Sequence, residues 1–600
     1  MTARSVVGID LGTTHTALAY ADEADEDARS TPLDVPQLTA PGVLERQPLL
    51  PSFLYFAHES EPPLSLPWDA SRRYTVGEYA RRRASEAPGR VVSSAKSWLS
   101  HPSVDRRAPI IPLNAPEDVE KVSPVEASFR YLDHLAEAWK AAGHESDLAE
   151  QSIVLAVPAS FDASARDLTV EAAFAAGMEG VTLLEEPQAA LYAWIESVGD
   201  EWRKLLRVGD VVLIVDIGGG TTDFSAVEAV EADGGLELRR VAVGDHILLG
   251  GDNMDLALAH VAKARLESEG HELDAWQLHA LMHASRAAKE RLLSSDAESV
   301  PVVVPSRGSQ LLGGSLRTVL ERAEVERTIV DGFFPEVAVS DEPARRARTA
   351  LTQMGLPYAA DPAITRHLAA FLRRQAGAVN ATASSGLLRP SAVLFNGGVL
   401  KSNRIRSRIL DPLGRWLRDA GAPAPRELPA ADLDLAVARG ACYYGLVRKG
   451  RGLRIRGGTA QAYYVGIESP APAVPGVPPP ITAFCVAPFG VEEGSRVNLP
   501  PHELGVVVGE PVRFRFFGSS VRREDAAGDE LTRWKPGELS ELSPIELTLP
   551  AEGRHAGEVV PVRLESGVTP IGTLALEAVP LNPRSPDERW KVELSVRTDR

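Results

Sequence analysis

Two short segments hold the residues best suited to chemistry. Asp10-Leu11-Gly12-Thr13-Thr14 and Asp216-Ile217-Gly218-Gly219-Gly220-Thr221-Thr222-Asp223 each place a carboxylate just before a Gly-rich turn that carries threonines. Glycines in a turn expose backbone N–H groups and let an anion approach the main chain, and threonine hydroxyls beside them add donors. An aspartate beside a phosphate is repelled unless a cation lies between them. Asp10 and Asp216 therefore read as holders of Mg²⁺, through its waters. Taken singly, the first segment is equally an ordinary hairpin turn. As a repeated pair, the two segments point to a nucleoside triphosphate with its metal.

Each segment sits between two apolar, β-rich runs. Ser5 to Ile9 precedes the first turn and Thr16 to Tyr20 follows it; Val211 to Val215 and Phe224 to Val227 do the same for the second. This strand–turn–strand context argues against Walker and Rossmann loops, which need a helix after the glycines. The repeat implies two related lobes, each presenting one phosphate-gripping turn to a shared cleft. Between the turns, Val125, Phe129, Leu132, Leu135 and Trp139 have helical spacing, and Ile153 to Val157 reads as a buried strand ending at Pro158. The acidic, Pro-containing stretch from Ala21 to Pro48 reads as an exposed loop. A third apolar strand, Ala392 to Phe395, ends in Asn396-Gly397-Gly398. From about residue 457 helical periodicity stops. Short β-rich runs then alternate with Pro/Gly turns, among them Ala462–Gly466, Thr482–Val486, Val512–Phe516, Val559–Leu564 and Trp590–Val596, which predicts an all-β domain.

Composition bounds the rest. At roughly 150 residues per domain, the 600-residue chain has room for several cores. An apolar share of 44% and a charged share of 24% are those of a globular protein. A net charge of −18 disfavours sequence-independent nucleic-acid binding, which depends on neutralising phosphates. The two cysteines, Cys442 and Cys485, make neither a disulfide framework nor a four-cysteine metal site. With no signal-peptide pattern and no run long enough to span a membrane, the expected location is cytoplasmic, without nucleic-acid or membrane partners. His279 and His283 share a helix face but lack a third ligand nearby, and the runs Arg81-Arg82-Arg83 and Arg345-Arg346 read as solvated helix faces.

The two turns and their surroundings resemble the Hsp70 chaperone family of the actin-like ATPase superfamily. Val6 to Thr14 looks like its first phosphate motif, Ile214 to Phe224 its second, and Phe395-Asn396-Gly397-Gly398 its adenosine motif. Glu185 to Ala190 resembles the first connecting motif and Asp434 to Ala441 the second; Leu249-Gly250-Gly251-Asp252 resembles a further element beside the nucleotide. Ser94-Ala95-Lys96 falls where the family has its catalytic lysine. The likeness runs along essentially the whole chain and is most specific over residues 5–20, 152–256 and 390–445.

This resemblance implies a fold: two α/β, ribonuclease H-like lobes of an actin-like ATPase (residues 1–195 and 196–448), a linker (449–458), and a β-sandwich (459–600) of the peptide-binding kind. No helical lid follows the sandwich in this sequence, so a bound peptide is expected to exchange quickly. It also implies roles. Lys96 would set positive charge near the γ-phosphate and attacking water. Glu186 and Asp223 would orient water and metal ligands, with Asp10 and Asp216 beside them. Gly12, Thr13, Thr14, Gly218, Gly219, Gly220, Thr221 and Thr222 would grip phosphates. Gly250, Gly251, Lys289, Gly397, Gly398 and Asp434 would hold the nucleoside side. Pro158, Arg166, Leu453 and Ile455 would couple the domains. By residue type alone Lys96 is also a surface lysine, and Pro158 and Arg166 are a strand-ending proline and a solvated helical arginine.

Three departures stand out. Arg286, in Ser285-Arg286-Ala287-Ala288-Lys289-Glu290, occupies a position usually acidic in the family. Residues 341–375 look like an extra helical segment. The linker, Lys449 to Gly458, is basic where the family's is acidic. The implied function is a chaperone that hydrolyses ATP slowly with Mg²⁺ and binds apolar segments of client chains, with co-chaperones as further partners. The alternatives are a nucleotide-switched scaffold for one dedicated partner and a sugar-kinase-type phosphotransferase.

Overall fold

The computed structural model describes residues 4–594 except 26, 102, 233–234, 306–313, 345–354, 380–385, 430–431, 452–458, 460, 469–479, 492–494, 503, 520, 523, 536, 543–544, 552, 570–573 and 586–587. It divides into two compact units: Met1–Ala159 with Leu168–Leu236 and Gly244–Arg454, and Ser160–Asp167 with Glu237–Val243 and Ile455–Arg600.

In the first unit, both predicted hairpins form. Ser5–Leu11 pairs antiparallel with His15–Asp22 and parallel with Ser152–Val157, which in turn lies beside Thr182–Glu185. Val211–Ile217 pairs antiparallel with Thr222–Ala232 and parallel with Ala392–Asn396. The repeat is thus structural as well as sequential: a hairpin flanked by a parallel strand, twice. Asp10 lies opposite Ala156 and Asp216 opposite Asn396, each one residue from the end of its strand. The flanking Ile9, Leu11, Val215 and Ile217 are buried, anchoring the strand so that the aspartate is carried to its tip.

The helix Ala436–Arg448, which holds the second of the connecting motifs, packs on the first sheet: Leu435, Ala438, Cys442 and Leu446 share a core with Val6, Ala17, Ala19 and Ala21. Missing side chains make this possible. A Cβ on Gly8 would lie 2.2 Å from the carbonyl oxygen of Ala438, and one on Gly440 would lie 1.7 Å from that of Ala189. The helix therefore touches both the first strand and the helix Glu186–Val198, and fixes the N-terminus from which Glu186 projects.

Other expectations needed revision. The stretch 21–48 is no exposed loop: Val35–Ala40 is a largely buried strand paired with Val43–Gln47, because Val35, Gln37 and Leu38 turn into the first unit's core. Within 341–375 the described helix is Ile364–Arg374, while the residues next to it on the N-terminal side, 355–363, are not helical. The helix expected from Val125, Phe129, Leu132, Leu135 and Trp139 does form, as Pro124–Ala141, capped by the Ser123 side chain. Arg345, Arg346, Leu453 and Ile455 lie outside the described residues.

In the second unit, residues 461–594 contain strands and turns but no helix among the described residues. One sheet has Ile481–Ala487, Ala462–Glu468 and Phe516–Ser519 at its centre; the other has Glu558–Val568, Leu574–Pro580 and Trp590–Leu594. Tyr463, Val465, Phe484, Val486 and Phe516 from the first share a core with Leu574, Leu576 and Val592 from the second, as a sandwich requires. The run Val512–Phe516, read as one strand, is broken at Arg515. Pro511–Phe514 pairs with Ile545–Thr548, whereas Phe516–Ser519 joins Ala462–Glu468. Edge exchange of this kind leaves no mark on a period-two pattern.

Candidate nucleotide site

The two Gly-rich turns meet. A Cβ on Gly219 would lie 2.1 Å from Thr14 Cγ2, and one on Gly220 would lie 2.9 Å from Thr13 Cγ2. Any side chain there would push the turns apart. The second turn is closed by Gly218 N–H donating to the Thr221 carbonyl at 3.0 Å. Its own carbonyls then receive the next helix, Gly251–Ser268: Gly251 N–H donates to Gly218 and Asp252 N–H to Gly219, at 3.0 and 2.7 Å. At the third strand, Gly397 has φ +91°, and a Cβ there would lie 2.3 Å from the Ile217 carbonyl oxygen and 2.9 Å from Asp216 Oδ1. Only glycine fits this position.

These turns wall a cavity of about 390 Å³. Asp10, Gly12, Thr13, Thr14, Lys96 and Glu186 line it from the first lobe. Asp216, Gly218, Gly219, Thr221, Gly251, Lys289, Gly397 and Gly398 line it from the second, and Asp434 from the segment leading into the helix Ala436–Arg448. The other predicted site residues among the described ones lie outside the lining. Thr222 is fully buried and donates its hydroxyl to the Leu249 carbonyl at 2.7 Å, so it supports the turn and has no hydroxyl for a phosphate. Gly220 and Gly250 hold the turns from behind, against Thr13 and Gly218. Asp223 is buried on the neighbouring strand opposite Asp216. Neither Pro158 nor Arg166 lines the cavity, and Arg166 is buried, unlike a solvated helical arginine.

Electrostatics suit a cation. Asp10 is pushed up to about 7, mainly by burial and further by Glu186, against the opposing pull of Lys96. Asp216 is pushed up to about 8 by burial and by Glu186, Asp223 and Asp10, against a 2.9 Å hydrogen bond from Asn396. Burial disfavours the charge on Lys96, but Glu186 and Asp10 outweigh it and raise its pKa. Its Nζ donates to Glu186 Oε1, which sits on the first turn of its helix, where the dipole favours a carboxylate. Two carboxylates pushed up mainly by burial, and by one another, form a donor set that would fit Mg²⁺. Asn396 Oδ1, buried with no hydrogen-bond partner among the described residues, lies beside them.

Several cleft residues escaped sequence reasoning. Arg81, read as part of a solvated run, lines the cavity; its Nε pairs with Glu78 at 2.8 Å, and it faces Glu290 at 3.9 Å. Arg286 is buried between Asp252 and Asp255, and Lys289 pairs with Asp255 at 2.6 Å. Lys401 pairs with Asp434. The only advance signal was Arg286 itself, through its unusual position. His279 is solvent-exposed while His283 packs edge-on against Phe53, and no group of three or more histidines, cysteines or carboxylates placed to ligate a metal directly occurs among the described residues.

The Hsp70 protein family matches residues 65–340. The chaperone protein HscA homolog of Aeromonas salmonicida is 33% identical over 50% of this chain and 43% of its own length. The chaperone protein HscA of Pectobacterium atrosepticum is 31% identical over 50% and 44%. The HscA homolog of Bordetella pertussis is 29% identical over 70% and 63%. The chain thus spans less than half the length of the first two relatives. Among the described residues, no helix is long and apolar enough to cross a membrane.

Proposed function

Because this chain belongs to the Hsp70 family, we propose that it is a chaperone of the HscA kind. In this reading its first unit binds and hydrolyses ATP with Mg²⁺, and its β-sandwich takes exposed apolar segments of client polypeptides, with co-chaperones as further partners. One observation carries the proposal: two Gly-Thr turns in contact over a cavity whose floor holds Asp10, Asp216 and Lys96.

Each residue then has a task. The N–H groups of Gly12 to Thr14 and Gly219 to Thr221 bind phosphate oxygens, supported by the hydroxyls of Thr13, Thr14 and Thr221, while Gly218 N–H closes the second turn on the Thr221 carbonyl. Asp10 and Asp216 would hold Mg²⁺, whose charge offsets that of the phosphates. Lys96, kept charged and oriented by Glu186, faces the charge that develops on the transferred phosphoryl group. Glu186 also accepts a hydrogen bond from the attacking water, and Asp223, on the strand beside Asp216, orients water and metal ligands with it. Gly251, Lys289, Gly397, Gly398 and Asp434 surround the nucleoside. Pro158, Arg166, Leu453 and Ile455 are the proposed coupling residues.

The test is a calorimetric titration of the full chain with ATP and ADP, with and without Mg²⁺, followed by a labelled apolar peptide in each nucleotide state. Mg²⁺-dependent binding and a peptide affinity that differs between ATP and ADP are expected. No nucleotide binding refutes the ATPase reading. Equal peptide affinity in both states refutes the coupling.

A further inference from the structure

We infer that Ser94 and Asp252 form a latch across the nucleotide cleft that sets the position of Lys96 relative to the second lobe. The latch rests on the nucleotide-binding reading above. Ser94 Oγ donates to Asp252 Oδ2 at 2.6 Å. The other oxygen of Asp252 accepts from the Arg286 guanidinium, whose Nε donates to Asp255 Oδ2 at 2.6 Å. The second oxygen of Asp255 meets Lys289 Nζ at 2.6 Å, and that amine also donates to the Gly251 carbonyl at 3.1 Å. Five side chains therefore form one continuous series of hydrogen bonds and ion pairs from the first lobe to the cavity wall of the second.

Three features give the chain a direction. Ser94 immediately precedes the helix Ala95–Leu99, so it is two residues from Lys96. It is also the one non-glycine residue with positive φ among the described residues, at 55°. A serine in that conformation is held there at a cost, and a hydroxyl aimed at a buried carboxylate supplies the compensation. The far end of the chain is rigid: Asp252, Asp255, Arg286 and Lys289 are all buried, Asp252 is hydrogen-bonded through both oxygens, and Asp255 is held by Arg286 on one oxygen and paired with the Lys289 ammonium on the other. Sequence separation confirms that this is a tertiary device, since Ser94 and Asp252 are 158 residues apart.

The consequence is geometric. Opening the cleft to admit or release nucleotide must part Ser94 from Asp252. Closing it re-forms the bond and returns Lys96 to one register with Lys289 and Gly251, which grip the nucleoside side. Ser94 and Asp252 are positioning residues: neither acts on the phosphate. Misplacing a reacting group by about 1 Å costs up to about a hundredfold in rate, so loss of the latch should slow hydrolysis and speed release while leaving the folded chain intact.

The test compares the full chain with Ser94→Gly and Ser94→Ala. Glycine removes the hydroxyl and relieves the backbone; alanine removes the hydroxyl alone. Release of a fluorescent Mg–ADP analogue, single-turnover ATP hydrolysis and the ligand-free melting temperature are measured for each. In both variants, release about tenfold faster and hydrolysis about tenfold slower are expected, with melting temperatures within about 3 °C of the unmodified chain. Rates equal to those of the unmodified protein overturn the latch and leave the ATPase reading standing. An effect in Ser94→Ala but not in Ser94→Gly assigns the change to backbone strain and also overturns it. An unmodified chain that fails to bind Mg–ADP overturns both readings together.

Discussion

Loading the cleft with Mg–nucleotide should expel protons, and the number is set by Asp10 and Asp216. Burial holds the pair up, at about 7 and about 8. At pH 7 the first is about half protonated and the second about nine-tenths, so ionising both to face a cation frees roughly 1.4 protons beyond those the nucleotide itself loses. The same linkage makes apparent affinity climb with pH. For two independent acids the penalty falls about 500-fold between pH 6 and pH 8. Because each carboxylate feels the other and Glu186, the rise is a property of the pair. The free protein responds in the opposite sense. Both groups bind protons more tightly folded than at their ordinary 3.8. Their contribution to stability is therefore complete below that value and is lost as pH rises through 7 to 8. Mg–ADP should consequently stabilise the protein most at the upper end of this range. Calorimetry in buffers of differing ionisation heat counts the protons, and Asp10→Asn or Asp216→Asn should each remove a share. A count no larger than the nucleotide's own, or an affinity flat from pH 6 to pH 8, refutes the reasoning.

Two further perturbations probe other parts of the unit. Lys96→Ala should lower single-turnover hydrolysis by roughly a hundred- to a thousandfold while changing ATP affinity far less, since its charge is needed where the transition state develops its own; an unchanged rate would reduce Lys96 to a partner of Glu186. Gly440→Ala forces a Cβ to within 1.7 Å of the Ala189 carbonyl oxygen and 2.9 Å of Ala193 N. The two helices must separate, which should cost roughly 3 kcal/mol and lower the melting temperature by several degrees; an unshifted melting curve would show that the helices accommodate the methyl group.

The sequence by itself determined the two Gly-Thr turns and the strands that carry them. Everything they need is local: an aspartate, glycines and threonines within a few positions, flanked by apolar runs that can only be buried strands. It also determined the all-β character of the C-terminal region, because period-two runs between Pro and Gly turns leave few other options. Tertiary structure decided what meets what. Nothing local shows that Thr222 turns its hydroxyl to Leu249 while Thr221 faces the cavity. Nor does Arg81 differ by residue type from Arg82, yet only the first lines the cleft, because helical phase against the neighbouring lobe separates them. The helix Ala436–Arg448 belongs with strands more than four hundred residues earlier through Gly8, and with the helix Glu186–Val198 through Gly440, glycines whose missing side chains become informative only once the contacts exist. Arg286 could be seen as unusual, but not as the centre of a bridge between Asp252 and Asp255. Ion pairs and hydrogen bonds act over a few ångströms, and the partners they join are brought within that distance by topology rather than by proximity along the chain.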